Sequence, residues 1–100
     1  MGRSNTIKFH TFSEALDACI NKGAKIKLAS WEQNEFVVYQ KGYPDGIKCN
    51  KQCAEAWGIN EGDLFKCRPY LQKQNFDMTH TMWTPSTDEL LSDGWMIIIL

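Results

Sequence analysis

Apolar residues recur at helical spacing near the start of the chain. Thr11 and Glu14 have the spacing of a capping box, and Gly23 stands where a left-handed C-cap is required. The pattern predicts a helix over about residues 12 to 22. Its apolar stripe consists of Phe12, Ala15, Leu16, Cys19 and Ile20.

Five later segments have the composition of β-strands: Lys25–Leu28, Phe36–Tyr39, Leu64–Gln74, Met78–Trp83 and Trp95–Leu100. The first alternates polar and apolar residues, which predicts that Ile26 and Leu28 point inward. The second is β-branched and aromatic on both faces, so we expect both of its faces to be covered. The last is continuously apolar and β-branched, which predicts a central strand. Pro69 cannot donate to a ladder, which predicts an edge position or a bulge.

Short helices and turns complete the pattern. Residues 42–46 are dense in turn formers, and residues 50–57 predict a short helix that ends at Gly58. Ser86 and Glu89 repeat the capping-box spacing before a last short helix. The chain therefore predicts an α+β fold, a small antiparallel sheet of about five strands with two or three short helices. Residues 42–62 have the character of an insertion that covers a site or a neighbouring subunit.

Size and charge limit the function classes. One hundred residues predict a single domain, and 43% hydrophobic residues exclude a disordered chain. A net charge of -1 argues against nucleic-acid binding, and no run of 18 apolar residues predicts a membrane span. Met1 to Asn5 lack the apolar run of a signal peptide. We therefore expect a cytoplasmic protein with neither nucleic acid nor membrane as a partner.

Catalytic and metal-binding signatures are weak. No nucleophile elbow, Walker loop or zinc-protease motif occurs, and His10 and His80 stand alone. Cys49 and Cys53 share one predicted helix face, but a second close pair of zinc ligands is missing. Asp88 and Glu89 would suit a metal for phosphodiester cleavage, although carboxylates at a helix start more often stabilise the helix dipole. We predict no catalytic residue, no metal and no cofactor.

The aromatic residues point to ligand binding. Trp31 and Trp83 fall in predicted turns, where an indole often keeps one face exposed for stacking on a purine. Ser86, Thr87 and Asp88 supply hydroxyls and a carboxylate suited to ribose, and Arg68 suits phosphate. For Trp57 and Trp95, core packing or an oligomer contact is favoured over ligand binding. Capping explains Ser86 and Glu89 equally well.

Three blocks, taken in order, resemble the Thoeris anti-defence type-two proteins of phages. The first runs from Phe12-Ser13-Glu14-Ala15-Leu16 through Lys22-Gly23 to Ile26 and Trp31. The second is Phe36-Val37-Val38-Tyr39 followed, after a variable insert, by Arg68-Pro69-Tyr70. The third runs from Trp83-Thr84-Pro85-Ser86 through Leu90-Leu91-Ser92-Asp93-Gly94-Trp95. The similarity spans nearly the whole chain.

The resemblance implies a sponge that captures a cyclic ADP-ribose derivative, or a cyclic oligonucleotide, without cleaving it. It further implies a homotetramer, built as a dimer of dimers, that acts in the cytoplasm of the infected bacterial host. Carried over by position, it implies that the ligand-binding residues are Trp31, Phe36, Arg68, Trp83, Ser86, Thr87 and Asp88. Residues 1–100 would then form one signal-molecule-binding domain.

The chain departs from the family pattern near this presumed site. Its turn Ser30-Trp31-Glu32-Gln33-Asn34-Glu35 is acidic and lacks the family's glycines. An added carboxylate near phosphates is unfavourable, which suggests a related but different signal molecule. Two alternatives stay open at this point: a phosphodiesterase that degrades the nucleotide signal, and an inhibitor that binds a host defence protein.

Overall fold

The computed structural model describes residues 8–99. Expectations about Met1 to Asn5 and about Leu100 lie outside these residues. The elements, in chain order, are α1 Phe12–Lys22, β1 Lys25–Leu28, β2 Phe36–Gln40, β3 Tyr43–Lys48, α2 Lys51–Trp57, β4 Leu64–Cys67, β5 Tyr70–Gln74, β6 His80–Met82, α3 Thr87–Leu91 and β7 Trp95–Ile98. The chain separates into two compact units, the first comprising Met1–Tyr39 and Leu71–Leu100 and the second Gln40–Tyr70.

The first helix begins and ends where its capping residues predict. The Thr11 hydroxyl accepts from the Glu14 backbone N–H at 3.3 Å, and the Glu14 carboxylate accepts from the Thr11 N–H at 2.9 Å. Gly23 adopts a left-handed conformation with φ 67° and closes the C-terminus. These contacts satisfy backbone groups that helix ends otherwise leave without partners.

A five-stranded antiparallel sheet with the order β6-β5-β2-β1-β7 forms the centre of the first unit. Ile26 of β1 faces Val37 of β2 on one side, and Leu28 faces Trp95 of β7 on the other. Together with two short strands in the second unit and three helices, this sheet confirms the predicted α+β fold.

The core of the first unit lies between α1 and one face of the sheet. It contains the buried residues Phe12, Ala15, Cys19, Ile26, Val37 and Trp95. On the opposite face of the sheet, Phe36 and Val38 of β2 and Met96 and Ile98 of β7 are half-buried, and Lys27 of β1 is buried.

β7 is an edge strand in the described sheet and not the central strand predicted from its apolar composition. Its first residue is tied on the outer side by the segment before α1. The His10 N–H donates to the Trp95 carbonyl at 2.8 Å, and the Trp95 N–H donates to the His10 carbonyl at 3.0 Å. The apolar composition of β7 therefore does not mark a central strand. Trp95 is buried in the core, whereas Met96 and Ile98 stay half-exposed.

The second unit is a two-stranded antiparallel sheet whose strands are connected through one helix. β3 pairs antiparallel with β4, and Ile47 faces Phe65 across the pair. The predicted helix is confirmed as α2, which Asn50 caps at the N-terminus and Gly58 at the C-terminus. The turn predicted over residues 42–46 is wrong, because a register shift between Tyr43 and Ile47 lets these turn-forming residues continue as β3.

The strand predicted from Leu64 to Gln74 is divided into two. β4 ends at Cys67, and β5 begins at Tyr70 in the other sheet. Pro69 lies between them, where no ladder hydrogen bond is required of it. The proline therefore marks the change of sheet, which the alternating pattern alone does not show.

Gly42 is predicted to tolerate substitution less well than Gly58. Both have a positive φ, 65° and 67°, where a side chain costs about 1–2 kcal/mol. A Cβ at Gly42 would overlap the carbonyl oxygens of Cys67 and Arg68, whereas one at Gly58 would meet no atom. Gly42→Ala should lower the free energy of unfolding by about 3 kcal/mol or more, and Gly58→Ala by only the φ penalty.

Urea unfolding followed by circular dichroism measures both variants against the wild type. An equal loss in the two variants would contradict the close backbone approach at Gly42.

Candidate functional site

Trp95 joins the parts of the first unit that carry the candidate site. Its side chain is completely buried, and its ring centroid lies 5.1 Å from Phe12, 5.4 Å from Trp31 and 6.0 Å from Trp83. Its indole N–H donates to the Glu89 carbonyl at 2.9 Å, which ties α3 to the aromatic cluster. The burial of a tryptophan with its N–H satisfied makes this cluster rigid. The prediction that Trp95 is a packing residue is confirmed.

Trp31 and Trp83 lie at the border between this core and the surface. Both are half-buried and pack against the core, with ring centroids 5.9 Å apart. Their ring planes meet at 82°. Two rings that sandwich a base must be parallel, so these two indoles do not form such a sandwich within one chain. Each of them offers its own partly exposed surface.

Hydrogen bonds fix the turn that carries Trp31. The Lys27 ammonium donates to the Glu32 carbonyl at 2.6 Å, and the Glu32 N–H donates to the Glu35 carboxylate at 2.9 Å. The Gln74 amide of β5 donates to the Asn34 carbonyl at 2.7 Å. Hydrogen bonds thus connect the turn to β1 and β5. The position of Trp31 therefore does not depend on the glycines that the family pattern has in this turn.

Lys73 pairs with one carboxylate of the acidic turn and contacts the indole of Trp31. Its ammonium lies 3.0 Å from the Glu35 carboxylate and 4.3 Å from the centroid of the Trp31 ring. The Glu32 N–H and the Lys73 ammonium hold the pKa of the Glu35 carboxyl below its ordinary value. The carboxylate at Glu35 therefore has a partner within the protein and does not face the candidate site as a lone negative charge.

Phe36, another predicted ligand contact, lies next to two cations. The ammonium groups of Lys25 and Lys27 lie over its ring, 5.2 and 5.0 Å from the centroid. The ring is half-buried, whereas Lys27 is only 7% exposed. The surroundings of Phe36 are thus strongly positive, which favours an anion over a neutral base.

The polar residues before and within α3 divide into two groups. The Ser86 hydroxyl accepts from the Glu89 N–H at 3.2 Å, and the Glu89 carboxylate accepts from the Ser86 N–H at 2.8 Å, so both serve the predicted capping box. The side chains of Thr87 and Asp88 are exposed and make no hydrogen bond or ion pair within residues 8–99. Of this group, Thr87 and Asp88 are the side chains still open to a ligand.

The second unit contains Arg68 and a separate aromatic surface. Arg68 is exposed and follows β4. Trp57 is 67% exposed, which excludes core packing, and its ring lies 6.3 Å from that of Phe65. An open groove of about 340 Å³ is lined by Asn50, Gln52, Cys53, Ala56, Trp57 and Phe65.

The four cysteines carry thiols, and the described residues contain no metal site. Burial, together with the neighbouring Cys53, raises the pKa of the Cys49 thiol to about 11, so it stays protonated at neutral pH. Among residues 8–99, no group of three or more His, Cys, Asp or Glu side chains is placed to hold a metal ion. No helix in this part of the chain is long and apolar enough to span a membrane.

The sequence reasoning missed the lysines. Lys25 and Lys27 alternate with the inward Ile26, a signal that places both on the other face of β1. Lys73 gave no local signal, because its contacts with Glu35 and Trp31 join residues about forty positions apart in sequence. Of the predicted residues, the structure brings together Trp31 and Trp83 and places Ser86, Thr87 and Asp88 at the start of α3.

Comparison with known families gives one match, which spans all the described helices and strands. The family model for the Tad2-like domain, described as the Thoeris anti-defense 2-like domain, matches residues 10–98. Comparison with the curated proteins gives no match. The chain belongs to the Tad2-like family of Thoeris anti-defense 2-like domains, and this membership supports a role in countering Thoeris defence.

Proposed function

We propose that this protein is an anti-defence sponge that binds a cyclic ADP-ribose-type signal, or a cyclic oligonucleotide, and holds it without cleaving it. The ligand would be sequestered in the cytoplasm of the infected bacterium, before it reaches the defence effector. Residues 1–100 act as one signal-molecule-binding domain in this proposal.

The observation that carries the proposal is the pair of half-exposed indoles on a rigid base. Trp31 and Trp83 are held against buried Trp95, with centroid distances of 5.4 and 6.0 Å. Binding on such a prearranged surface loses little side-chain entropy. In a family associated with Thoeris, a fixed aromatic surface of this kind suits the flat base of a nucleotide-like signal.

Polar side chains in the same unit as the indoles suit the rest of such a ligand. Thr87 and Asp88 are exposed and available for ribose hydroxyls, and Lys73 places a positive charge over the Trp31 ring. Arg68 lies in the second unit, and its role as a bidentate phosphate contact stays a prediction. We expect Ser86 to contribute less to ligand binding than Thr87 and Asp88, because its hydroxyl and N–H already serve the α3 cap.

Affinity arithmetic supports a site shared between copies of the chain. Nanomolar capture requires about -12 kcal/mol, whereas one stacked base contributes about 1–3 kcal/mol. Because Trp31 and Trp83 are nearly perpendicular, one chain does not enclose a base between them. We therefore propose a homotetramer, a dimer of dimers, whose neighbouring subunit closes the pocket. Its apolar contacts would come from exposed residues that include Phe76, Met78, Met82, Leu90, Leu91 and Ile99.

A second candidate function, binding to a host defence protein, is favoured by the surface of the second unit. Trp57 and Leu64 are 67% and 62% exposed, and Trp57 borders the open groove. Exposed aromatic residues of this kind are typical of protein contacts. A stoichiometric protein partner captured without added ligand, together with no response to any cyclic nucleotide, would favour this function over the sponge.

Ligand binding should raise the melting temperature of the protein. A thermal-shift panel of cyclic ADP-ribose isomers, histidine-ADP-ribose and cyclic oligonucleotides should contain at least one compound that stabilises the folded state strongly. Trp31→Ala and Trp83→Ala should abolish the shift, since each removes a stacking surface. Trp57→Ala, a tryptophan of the second unit, is the matched control and should keep it.

Circular dichroism shows whether each variant is still folded before its response is compared. A stabilising ligand whose shift is unchanged in both Trp31→Ala and Trp83→Ala would contradict the assignment of the site.

The bound signal should be recovered chemically intact. The protein is incubated with the stabilising compound, denatured by heat, and the supernatant is examined by mass spectrometry. The sponge proposal predicts the original compound in full yield after long incubation. A degraded compound would instead support the phosphodiesterase alternative and end the sponge proposal.

A further inference from the structure

We propose that Lys25, Lys27 and Phe36 form an anion subsite on the face of the sheet opposite the core, and that it takes a phosphate group of the ligand. The assignment to the ligand rests on the proposed function, whereas the anion site itself rests on geometry alone. Neither lysine was predicted as a phosphate contact, a role that the sequence predicts for Arg68 and for backbone amides.

Strand register brings the three side chains together. Ile26 faces Val37 across β1 and β2, so Lys27 faces Phe36 one residue further along. Lys25 lies two residues before Lys27 and therefore on the same face. Both ammonium groups reach the Phe36 ring, at 5.2 and 5.0 Å from its centroid.

Neither cation forms a close ion pair within the described residues, although Lys27 is one of the cations whose charge lowers the pKa of the Glu35 carboxyl. Neither Lys25 nor Lys27 has a carboxylate at ion-pair distance among residues 8–99, and the nearby Glu35 carboxylate is paired with Lys73 at 3.0 Å. Glu32 offers its backbone carbonyl to Lys27, which satisfies one donor and leaves the charge. Two like charges that share one ring repel each other, and a bound anion would remove this repulsion.

Local burial strengthens the effect of these charges. Lys27 faces Met96 and Lys25 faces Ile98 on the β7 side, so apolar side chains border the lysines. Charges act more strongly where such groups exclude water. Lys27 is only 7% exposed and raises the local potential, whereas the half-buried Lys25 supplies the ammonium that an anion can reach.

Cation–π packing alone is the competing explanation for this arrangement. One lysine over a ring contributes about 0.5–1 kcal/mol at an exposed site. A second lysine on the same ring adds repulsion between ammonium groups, so packing alone does not favour the pair. Phosphate binding by lysine as a compact point charge explains why both are present.

The test uses inorganic pyrophosphate as the probe and the full chain as the protein. Isothermal titration at constant ionic strength should show saturable binding to the wild type. Lys25→Gln should weaken it about tenfold or more, because one charge-assisted contact is lost. Lys22→Gln is the matched control, since it removes the same charge from the last turn of α1 and should bind as the wild type does.

Lys25→Arg keeps the charge and should retain most of the affinity, which separates a loss of charge from a loss of packing. Equal weakening in Lys25→Gln and Lys22→Gln would show only screening by net charge and would overturn the subsite. An absence of saturable pyrophosphate binding to the wild type would overturn it as well.

The same proteins separate the subsite from the proposed function. A cyclic nucleotide that stabilises the wild type and Lys25→Gln equally, without pyrophosphate binding, would leave the sponge proposal standing and remove the subsite. Pyrophosphate binding that depends on Lys25, with no response to any cyclic nucleotide, would support the anion subsite and contradict the sponge proposal.

Discussion

The burial of Trp95 is the constraint on which the first unit depends. Its backbone pairs with β1 and with the segment at His10, its ring contacts Phe12, and its indole N–H holds the end of α3. Replacing a buried tryptophan by alanine typically costs about 3–5 kcal/mol. Here the loss of the Trp95 ring would also remove a contact that positions Trp31 and Trp83. The stability of the fold and the order of the candidate site therefore depend on the same side chain.

Lysines next to aromatic rings set the chemistry of the candidate site. Lys73 lies over Trp31, and Lys25 and Lys27 lie over Phe36. The ammonium groups beside these rings, and not the ring faces themselves, attract anionic groups. A ligand that carries both a base and phosphates fits this surface better than a neutral aromatic compound does. Within the acidic turn, Glu35 is paired with Lys73, whereas the exposed Glu32 carboxylate makes no hydrogen bond or ion pair within residues 8–99.

Local patterns predicted the elements of this fold more reliably than their places in the sheet. Both capping boxes and the start of α1 depend on residues within one turn of each other, which the sequence shows directly. The edge position of β7 depends on pairing with distant strands, so an apolar run such as Met96-Ile97-Ile98 was misread as central. The division at Pro69 into two sheets depends in the same way on long-range pairing.

Only part of the candidate site was predicted from the sequence, because the rest also depends on contacts between distant residues. Trp31 and Trp83 were selected because each lies in a turn, and the structure places them in contact. Their perpendicular planes and the Lys73 contact depend on tertiary packing, which no local pattern encodes. Trp57 could not be assigned from its surroundings in sequence, and its exposure became evident only once α2 and β4 were placed.

Hydroxyl-radical footprinting of the tryptophans tests the central claim most directly. The protein is labelled with and without a cyclic nucleotide that it binds, and the oxidation of each tryptophan is measured by mass spectrometry. The account predicts that the ligand protects Trp31 and Trp83, while buried Trp95 stays unreactive in both samples. Equal oxidation of Trp31 and Trp83 with and without bound ligand would contradict it.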